Sequence, residues 1–313
     1  MAENVSISVV IVNFNTCDLL RDCLDNLVQL EEVQEIIVVD NASVDGSVAM
    51  VSTEFPGVHV IALSENRGLT VASNLGMDAA IGEFILYLGS DAFPKVGTIM
   101  GLAHYLSQHE DVGIATAKLV LRDGQLDMDA HRGFPSPWAS LTHFTKLNRL
   151  FPTSPFFNQY FLGHLPLDTA HEIDLCISHF MFMRKSLFDA DNVGRWDEDF
   201  FVYGEDVDMC YRVKAAGYKI MYLPQFGATH IKGASVGIRK QSQDISKASP
   251  ETKVRAAQMS TEAMALFYEK HFHTKYPWVV NTLILTAVRF LGWFRVWRIR
   301  RNIPRVKIKG ESS

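Results

Sequence analysis

The chain has little cysteine and none of it in a useful cluster. Cys17, Cys23, Cys176 and Cys210 are the only four in 313 residues, they lie far apart, and no C-x-x-C pair exists. They read as reduced thiols of a cytosolic protein, which argues against both a zinc site and a disulfide framework. An excess of basic charge is also missing. Lys and Arg number 30 against 35 Asp and Glu, a formal net charge of −5, so nucleic acid is not expected as the main partner. The N-terminus "MAENVSISVVIVNFN" places an acid before its apolar run and offers no small-residue cleavage site, so no secretory signal is expected. Internal repeats and low-complexity stretches are absent. The segment "VNFNTCDLL" lacks the Gly- and base-rich phosphate loop that a nucleotidyltransferase would need there.

What is present is an ordinary globular composition, 48% hydrophobic and 21% charged. The length allows one large domain or two modest ones. The first 120 residues alternate strand and helix patterns. "ISVVIV" (7–12) and "EIIVVD" (35–40) are β-branched runs of the kind that both faces of a parallel sheet bury. Between them, Asn15 or Thr16 can cap a helix carrying Leu19, Leu20, Cys23, Leu24 and Leu27. "VHVIAL" predicts a third strand, followed by a helix through Asn74, and "EFILYLGSD" (83–91) predicts a fourth. A further helix and the strand "GIATAKLVL" follow. This pace implies βαβ units around a largely parallel sheet, and ligands bind such sheets beyond the carboxyl ends of the strands. The polar residues at those ends are Asn13 with Asn15, Asp40 with Asn41, Asn66, and Ser90 with Asp91.

From Asp123 to Tyr160 the periodicity weakens, which predicts long loops over a cleft. "GEDVDMCYRVKAAGYKIMYLP" then reads as a helix, a stop at Gly217 and a strand. Its acids divide unevenly. Asp208 stands four residues before Arg212, an ordinary helix-supporting pair, and Glu205 favours the helix N-terminus. Asp206 fits that plain structural reading less well, because it shares its face with Cys210 and Val213. A carboxylate on an inward face beside Phe200, Phe201 and Tyr203 has its pKa raised by desolvation, which suits a general base. Asp91 alone reads equally as a turn residue or as an oxygen ligand for a hard cation. His230 reads as a structural imidazole or as the nitrogen member of a mixed ligand shell.

Together, "SVVIVNFN", "IIVVDNASVDGS", "SENRGLTVASNLG", "LYLGSDAFP", "WDEDFFVYGEDVDMCYRVKAAGYKI" and "THIKGAS" resemble, in order and spacing, the family 2 glycosyltransferases of the GT-A fold. The resemblance is nearest to the bacterial branch that includes rhamnosyltransferases of cell-envelope polysaccharide assembly. It implies an α/β fold with a Rossmann-like, mostly parallel central sheet flanked by helices. It implies that Asn13, Asp40 and Asn66 hold the base and ribose of a dTDP- or UDP-type sugar donor, with Asn15 and Ser90 joining them. It implies that Asp91 and His230 hold a divalent cation, Mn or Mg, that Asp206 deprotonates the acceptor hydroxyl so that the anomeric centre inverts, and that Glu205 orients the acceptor. Asp197 and, in the "SHF" segment, His179 fall on the acceptor side. Two departures stand out. The family's acidic motif is shortened to "GSD", which shifts weight onto His230 and the diphosphate, and "SHF" stands where many relatives carry a Gly-Ala pair. A non-catalytic relative that binds a nucleotide sugar or scaffolds a membrane assembly is the competing reading.

The tail differs in composition. Trp278 to Val288 is uncharged but by itself too short to span about 30 Å of hydrocarbon. Arg289, Arg295, Arg298, Arg300, Arg301, Arg305, Lys307 and Lys309 follow without an acid, interleaved with Trp293 and Trp297. This predicts a helical basic and aromatic tail that attaches a cytoplasmic enzyme peripherally to the inner face of the membrane, near a glycan or lipid-linked acceptor. A helix packed on the enzyme core with a basic solvated end is the plainer reading, and a tail-mediated homodimer is a further one. The expected division is a catalytic domain over 1–240, with a nucleotide-sugar half to 122 and an acceptor half from 123, and the extension 241–313.

Overall fold

The structure, a computed structural model, describes residues 5–189, 191, 193–231 and 249–301. Gly233, Ala234 and Ser235 of the "THIKGAS" motif, and Arg305, Lys307 and Lys309, lie outside the described residues, as does the expected boundary at 240. The chain divides into two compact units, Met1–Lys232 and Gly233–Ser313.

In the first unit the strands are β1 (Ile7–Asn13), β2 (Glu35–Asp40), β3 (His59–Ala62), β4 (Phe84–Leu88), β5 (Ala92–Pro94), β6 (Val112–Leu121), β7 (His171–Ile173), β8 (Phe180–Arg184) and β9 (Lys219–His230). Among the described residues they form one nine-stranded sheet in the order β3-β2-β1-β4-β8-β6-β9-β5, with β7 also on β9. Following the pairings, β1, β2, β3, β4, β6 and β9 run one way and β5, β7 and β8 the other. The sheet is therefore mostly parallel, as the alternating pattern implied.

The continuous apolar runs form strands because helices cover both faces. On one face, Ile7, Val9 and Ile11 pack with Leu20, Cys23, Leu24 and Leu27 of α1 (Cys17–Leu27) and with α2 (Ser47–Glu54) and α4 (Thr98–Gln108). On the other, Val10, Ile37 and Val39 share a cluster with α3 (Leu69–Ala79), Leu187 of the short α7 (Ser186–Asp189) and α8 (Glu205–Ala215). Each such fully buried aliphatic side chain contributes on the order of 1.5–3 kcal/mol. α3 lies close to the sheet because Gly76 has no side chain there; a Cβ would come within 2.5 Å of Val10 Cγ1.

Three local expectations shift. The fourth strand stops at Leu88, since the amide of Ala92 turns back to the carbonyl of Gly89 (3.0 Å), and the chain re-enters the sheet as β5. The stretch from Asp123 to Tyr160 is not all loop. A 3-10 turn forms at Met128–Ala130, and Ser136 caps α5 (Pro137–Phe144), which is followed by α6 (Leu147–Leu150). Pro137 fits the first turn, where an amide would lack an intrahelical partner anyway. β9 runs past Pro224, where the sequence ended its strand. The ladder with β6 jumps from Leu223 to Gly227, so the proline sits in a bulge that asks nothing of its missing N–H. The bulge lays Phe226 on α4, against the bare Cα of Gly101.

The second unit is a pair of helices, α9 (Pro250–His271) and α10 (Trp278–Arg301). Buried Asn281 ties the turn between them. It accepts from the Tyr268 hydroxyl at 2.6 Å and donates to the carbonyls of His273 and Tyr276. Gly292 admits Thr261 of α9, whose Cγ2 would lie 2.4 Å from an added Cβ. Arg289 does not end the helix, so α10 has 24 residues and a mean hydropathy of 1.4 over its most apolar window. At 1.5 Å per residue it is about 36 Å long. By length and composition it is long and apolar enough to cross a membrane, which the uncharged run alone is not. Trp278, Leu283, Phe290 and Trp293 are exposed.

Candidate active site

The carboxyl ends of β1 and β2 bring their last residues side by side. Asn13 and Asp40 are in register, and Asn13 Nδ2 donates to Asp40 Oδ2 at 2.8 Å. Both are buried. Asp40 Oδ1 also accepts from the Ser43 amide (2.8 Å), and the Ser43 hydroxyl accepts from the Asn15 amide (2.8 Å). Asn15 itself has φ of 55°. Thr16, at the start of α1, caps nothing with its side chain; its hydroxyl donates to Asn13 Oδ1 (2.6 Å) and meets Ser90 Oγ at 3.1 Å. Asn66 accepts from Asn41 (3.1 Å) and from the Gly68 amide (3.0 Å). The Asn41 amide, on the Asn13 carbonyl at 2.8 Å, joins these two groups into one network running from Ser90 to Asn66.

Asn66 leads directly to the opposite wall. Gly68 has φ of 90°, and a Cβ there would lie 2.8 Å from Phe201. The Leu69 amide donates to the Phe201 carbonyl (2.6 Å), Thr70 to the Phe200 carbonyl (2.7 Å), and Asn74 bonds both the amide and the carbonyl of Trp196 at 3.0 Å. α3 therefore anchors the "WDEDFF" loop. Half-buried Asp197 shapes that loop from within, accepting from the Asp199 amide at 3.0 Å.

Beyond β4, Asp91 is buried and faces two imidazoles. His230 Nε2 lies 3.5 Å and His179 Nε2 3.9 Å from Asp91 Oδ1. Among the described residues these three form a group that can hold a metal ion, with ligand atoms all within 4.8 Å of one another. The fit has a physical test. Asp91 Oδ1 and His230 Nε2 are both buried and face only each other, at 3.5 Å, with no well-formed hydrogen bond, and buried polar atoms left so loosely paired are uncommon. The other nitrogen of His230 is held by Asp127 Oδ2 at 2.7 Å, the outer carboxylate that orients a metal-binding histidine. Burial would hold the His230 pKa down, but Asp127 and Asp91 lift it to about 9. Burial likewise opposes charge on Asp91, yet the neighbouring imidazoles keep its carboxyl below the usual range. An imidazolium flanked by two carboxylates is the charge pattern a cation would replace. His179, read from the sequence as an acceptor-side residue, stands at the exposed rim of this group. Gly89 makes room for it, since a Cβ would lie 2.7 Å from the His179 ring and 2.8 Å from Asp91 Oδ1.

The acid pair opens α8. Tyr203 (φ 68°) and Gly204 (φ 80°) turn the chain sharply into the helix, a strained entry of the kind that clusters at functional sites. Glu205 is buried, accepts from the Ser178 hydroxyl at 3.0 Å, and leaves Oε2 without a partner. Burial, with the adjacent Asp206 charge, pushes its pKa up to about 8. Asp206 is raised by burial too, but Arg132 Nη2, 3.3 Å from Oδ2, opposes the rise. Among the described residues no such cation acts on Glu205, so the two adjacent acids stand in unlike environments. Asp208 pairs with Arg212 at 2.8 Å.

Arg132 and Asp127 were not singled out in the sequence, and Ser178 only as part of the "SHF" segment. Asp127 and His230 are 103 residues apart, Arg132 and Asp206 74, and nothing in local composition links such pairs. Ser178 and His179 are consecutive, so one peptide unit joins the acid pair to the Asp91 group.

The profile of glycosyl transferase family 2 matches residues 8–190. The Escherichia coli rhamnosyltransferase WbbL is 26% identical over 236 residues, 71% of this chain and 82% of that protein. The Mycobacterium tuberculosis N-acetylglucosaminyl-diphospho-decaprenol L-rhamnosyltransferase is 25% identical over 218 residues, 66% of this chain and 69% of its own. Among solved structures, residues 1–349 of S. aureus TarS superpose with a TM-score of 0.55 at 16% identity, covering 97% of this chain and 75% of that one. The mannosyltransferase PcManGT of Pyrobaculum calidifontis, in complex with GDP-Man and Mn2+, gives 0.55 at 17%, covering 99% and 77%. These structures show the GT-A fold. The profile match covers more than half of the chain, and the chain belongs to glycosyl transferase family 2.

Proposed function

We propose that this glycosyltransferase moves a sugar, rhamnose being the favoured one, from a dTDP- or UDP-type donor to a hydroxyl of a lipid-linked glycan, with inversion. The supporting observation is the Ser178–His179 step, which sets the Glu205–Asp206 pair beside the Asp91 group. Asn13, Asn15, Asp40, Asn66 and Ser90 line the strand ends as the nucleotide wall. Asp91, His179 and His230 would hold a divalent cation, Mn or Mg, which when bound neutralises charge on a departing diphosphate.

Asp206, kept ionised by Arg132, accepts the proton of the attacking hydroxyl, a contribution of roughly 100- to 10,000-fold. Glu205, protonated at neutral pH, donates a hydrogen bond from its unpartnered oxygen and orients the acceptor. Asp197 shapes the acceptor wall through the loop it folds. In the second unit, the exposed tryptophans and arginines of α10 attach the enzyme peripherally to the cytoplasmic leaflet.

Calorimetric binding of UDP, dTDP and GDP, each with Mn2+, Mg2+ or chelator, tests the reading. Metal-dependent binding of one nucleotide is expected. Binding of none would overturn a donor site at these strand ends.

A further inference from the structure

From Ala130 to Leu167 the chain contains no aspartate or glutamate, yet it carries Arg132, Lys146 and Arg149 and is dense in aromatic residues. This stretch builds α5, a left-handed turn at Lys146, α6 and the coil leading towards β7. Its rings pack on one another. Phe151 stacks on Phe157 at 4.7 Å, and Phe156 lies 4.8 Å from Trp138 and 5.1 Å from Phe157. The outer members remain in water: Leu150 is 72% exposed, Phe156 56%, Leu141 51% and Phe151 47%. Lys146 and Arg149 are exposed alongside them.

A single exposed apolar residue is ordinary, but a contiguous patch marks an interaction surface. Charge selects the occupant. A second copy of the same patch would set Lys146 and Arg149 against their own kind. An anionic leaflet complements it, taking aromatic and aliphatic side chains at the acyl boundary and cations among the headgroups. We infer that the α5–α6 lobe docks the catalytic unit on an anionic lipid surface, as a contact separate from the α9–α10 helices. The lobe also begins with Arg132 and includes Tyr160, whose hydroxyl is 3.5 Å from Arg132 Nη1. The docked surface is therefore continuous with the segment that meets Asp206. The inference concerns binding and does not rest on the proposed reaction.

Hydrogen exchange read by mass spectrometry on the full chain tests it, with vesicles of phosphatidylcholine alone or mixed with phosphatidylglycerol. Amides of residues 139–158 should slow with the mixed vesicles only and recover in high salt. The double variant Leu150→Glu, Phe156→Glu should lose that protection and bind mixed vesicles about tenfold or more weakly. Its far-ultraviolet circular dichroism should match the wild type, and protection in α10 should be unchanged. Slowing confined to α9 and α10 would overturn the inference. So would equal slowing by phosphatidylcholine alone, or slowing that follows protein concentration without vesicles.

Discussion

Arg132 Nη2 lies 3.3 Å from Asp206 Oδ2, with only 13% and 14% of the two side chains exposed. The arginine comes from the acid-free stretch after β6 and the aspartate from the first turn of α8. Arg132 opposes the rise that burial imposes on the Asp206 pKa, while no cation among the described residues does the same for Glu205.

Replacing Arg132 with methionine therefore removes the largest influence opposing desolvation of Asp206, leaving the Val207 amide and the His179 imidazole. Its pKa should climb, and the acidic limb of the kcat/KM profile should move to higher pH. At neutral pH the rate should fall on the order of 10- to 100-fold. A profile that drops uniformly without moving would mean that Arg132 does not set the ionisation of Asp206.

Asp206→Asn keeps the shape and removes the proposed base. Transfer should fall by at least about 100-fold while nucleotide affinity, measured calorimetrically, stays within a few-fold. Unchanged turnover in this variant would remove Asp206 from the role of base.

Glu205 links the site to stability. Burial holds its folded pKa near 8, above the unfolded value of 4.5. The folded protein thus keeps a proton that the unfolded chain has lost. Its stabilising effect is complete below the unfolded pKa and disappears as pH rises through the folded one. Glu205→Gln is neutral throughout, so its melting temperature should gain on the wild type between pH 6 and pH 9, by on the order of 5 °C. Parallel melting curves across that range would show that Glu205 ionises normally.

Asp127 touches the Asp91 group only through His230 Nδ1. Asp127→Asn should weaken Mn2+ binding about 10- to 100-fold, while the affinity for metal-free nucleotide holds. Titration of Mn2+ followed by its magnetic resonance signal would read this directly. Unaltered Mn2+ affinity would place the ion elsewhere.

The parts legible in the sequence were those encoded locally. β1 and β2 announce themselves as β-branched runs, and their terminal Asn13 and Asp40 fall at the rim because parallel strands end together. The Asp208–Arg212 pair was legible because four residues make one helical turn. Other features depend on distant chain segments. His179 reads as part of the acceptor loop until β8 lays it against Asp91. α5 was obscured by the weak periodicity of its surroundings, although Ser136 and Pro137 mark its start. Its exposed apolar residues blur the amphipathic pattern by which a helix is usually recognised.

The bulge in β9 has a consequence for how reproducibly the cation group forms. Strands can slip, and a slip of one residue turns every side chain to the other face. In β9, a shift against β6 would carry Pro224 towards a position where the ladder expects a donor, and an unanswered buried carbonyl costs about 1–3 kcal/mol. The proline therefore disfavours that shifted alignment. Six residues downstream, His230 inherits the observed alignment and meets Asp91, so a proline outside the Asp91 group helps to fix the position of one of its members.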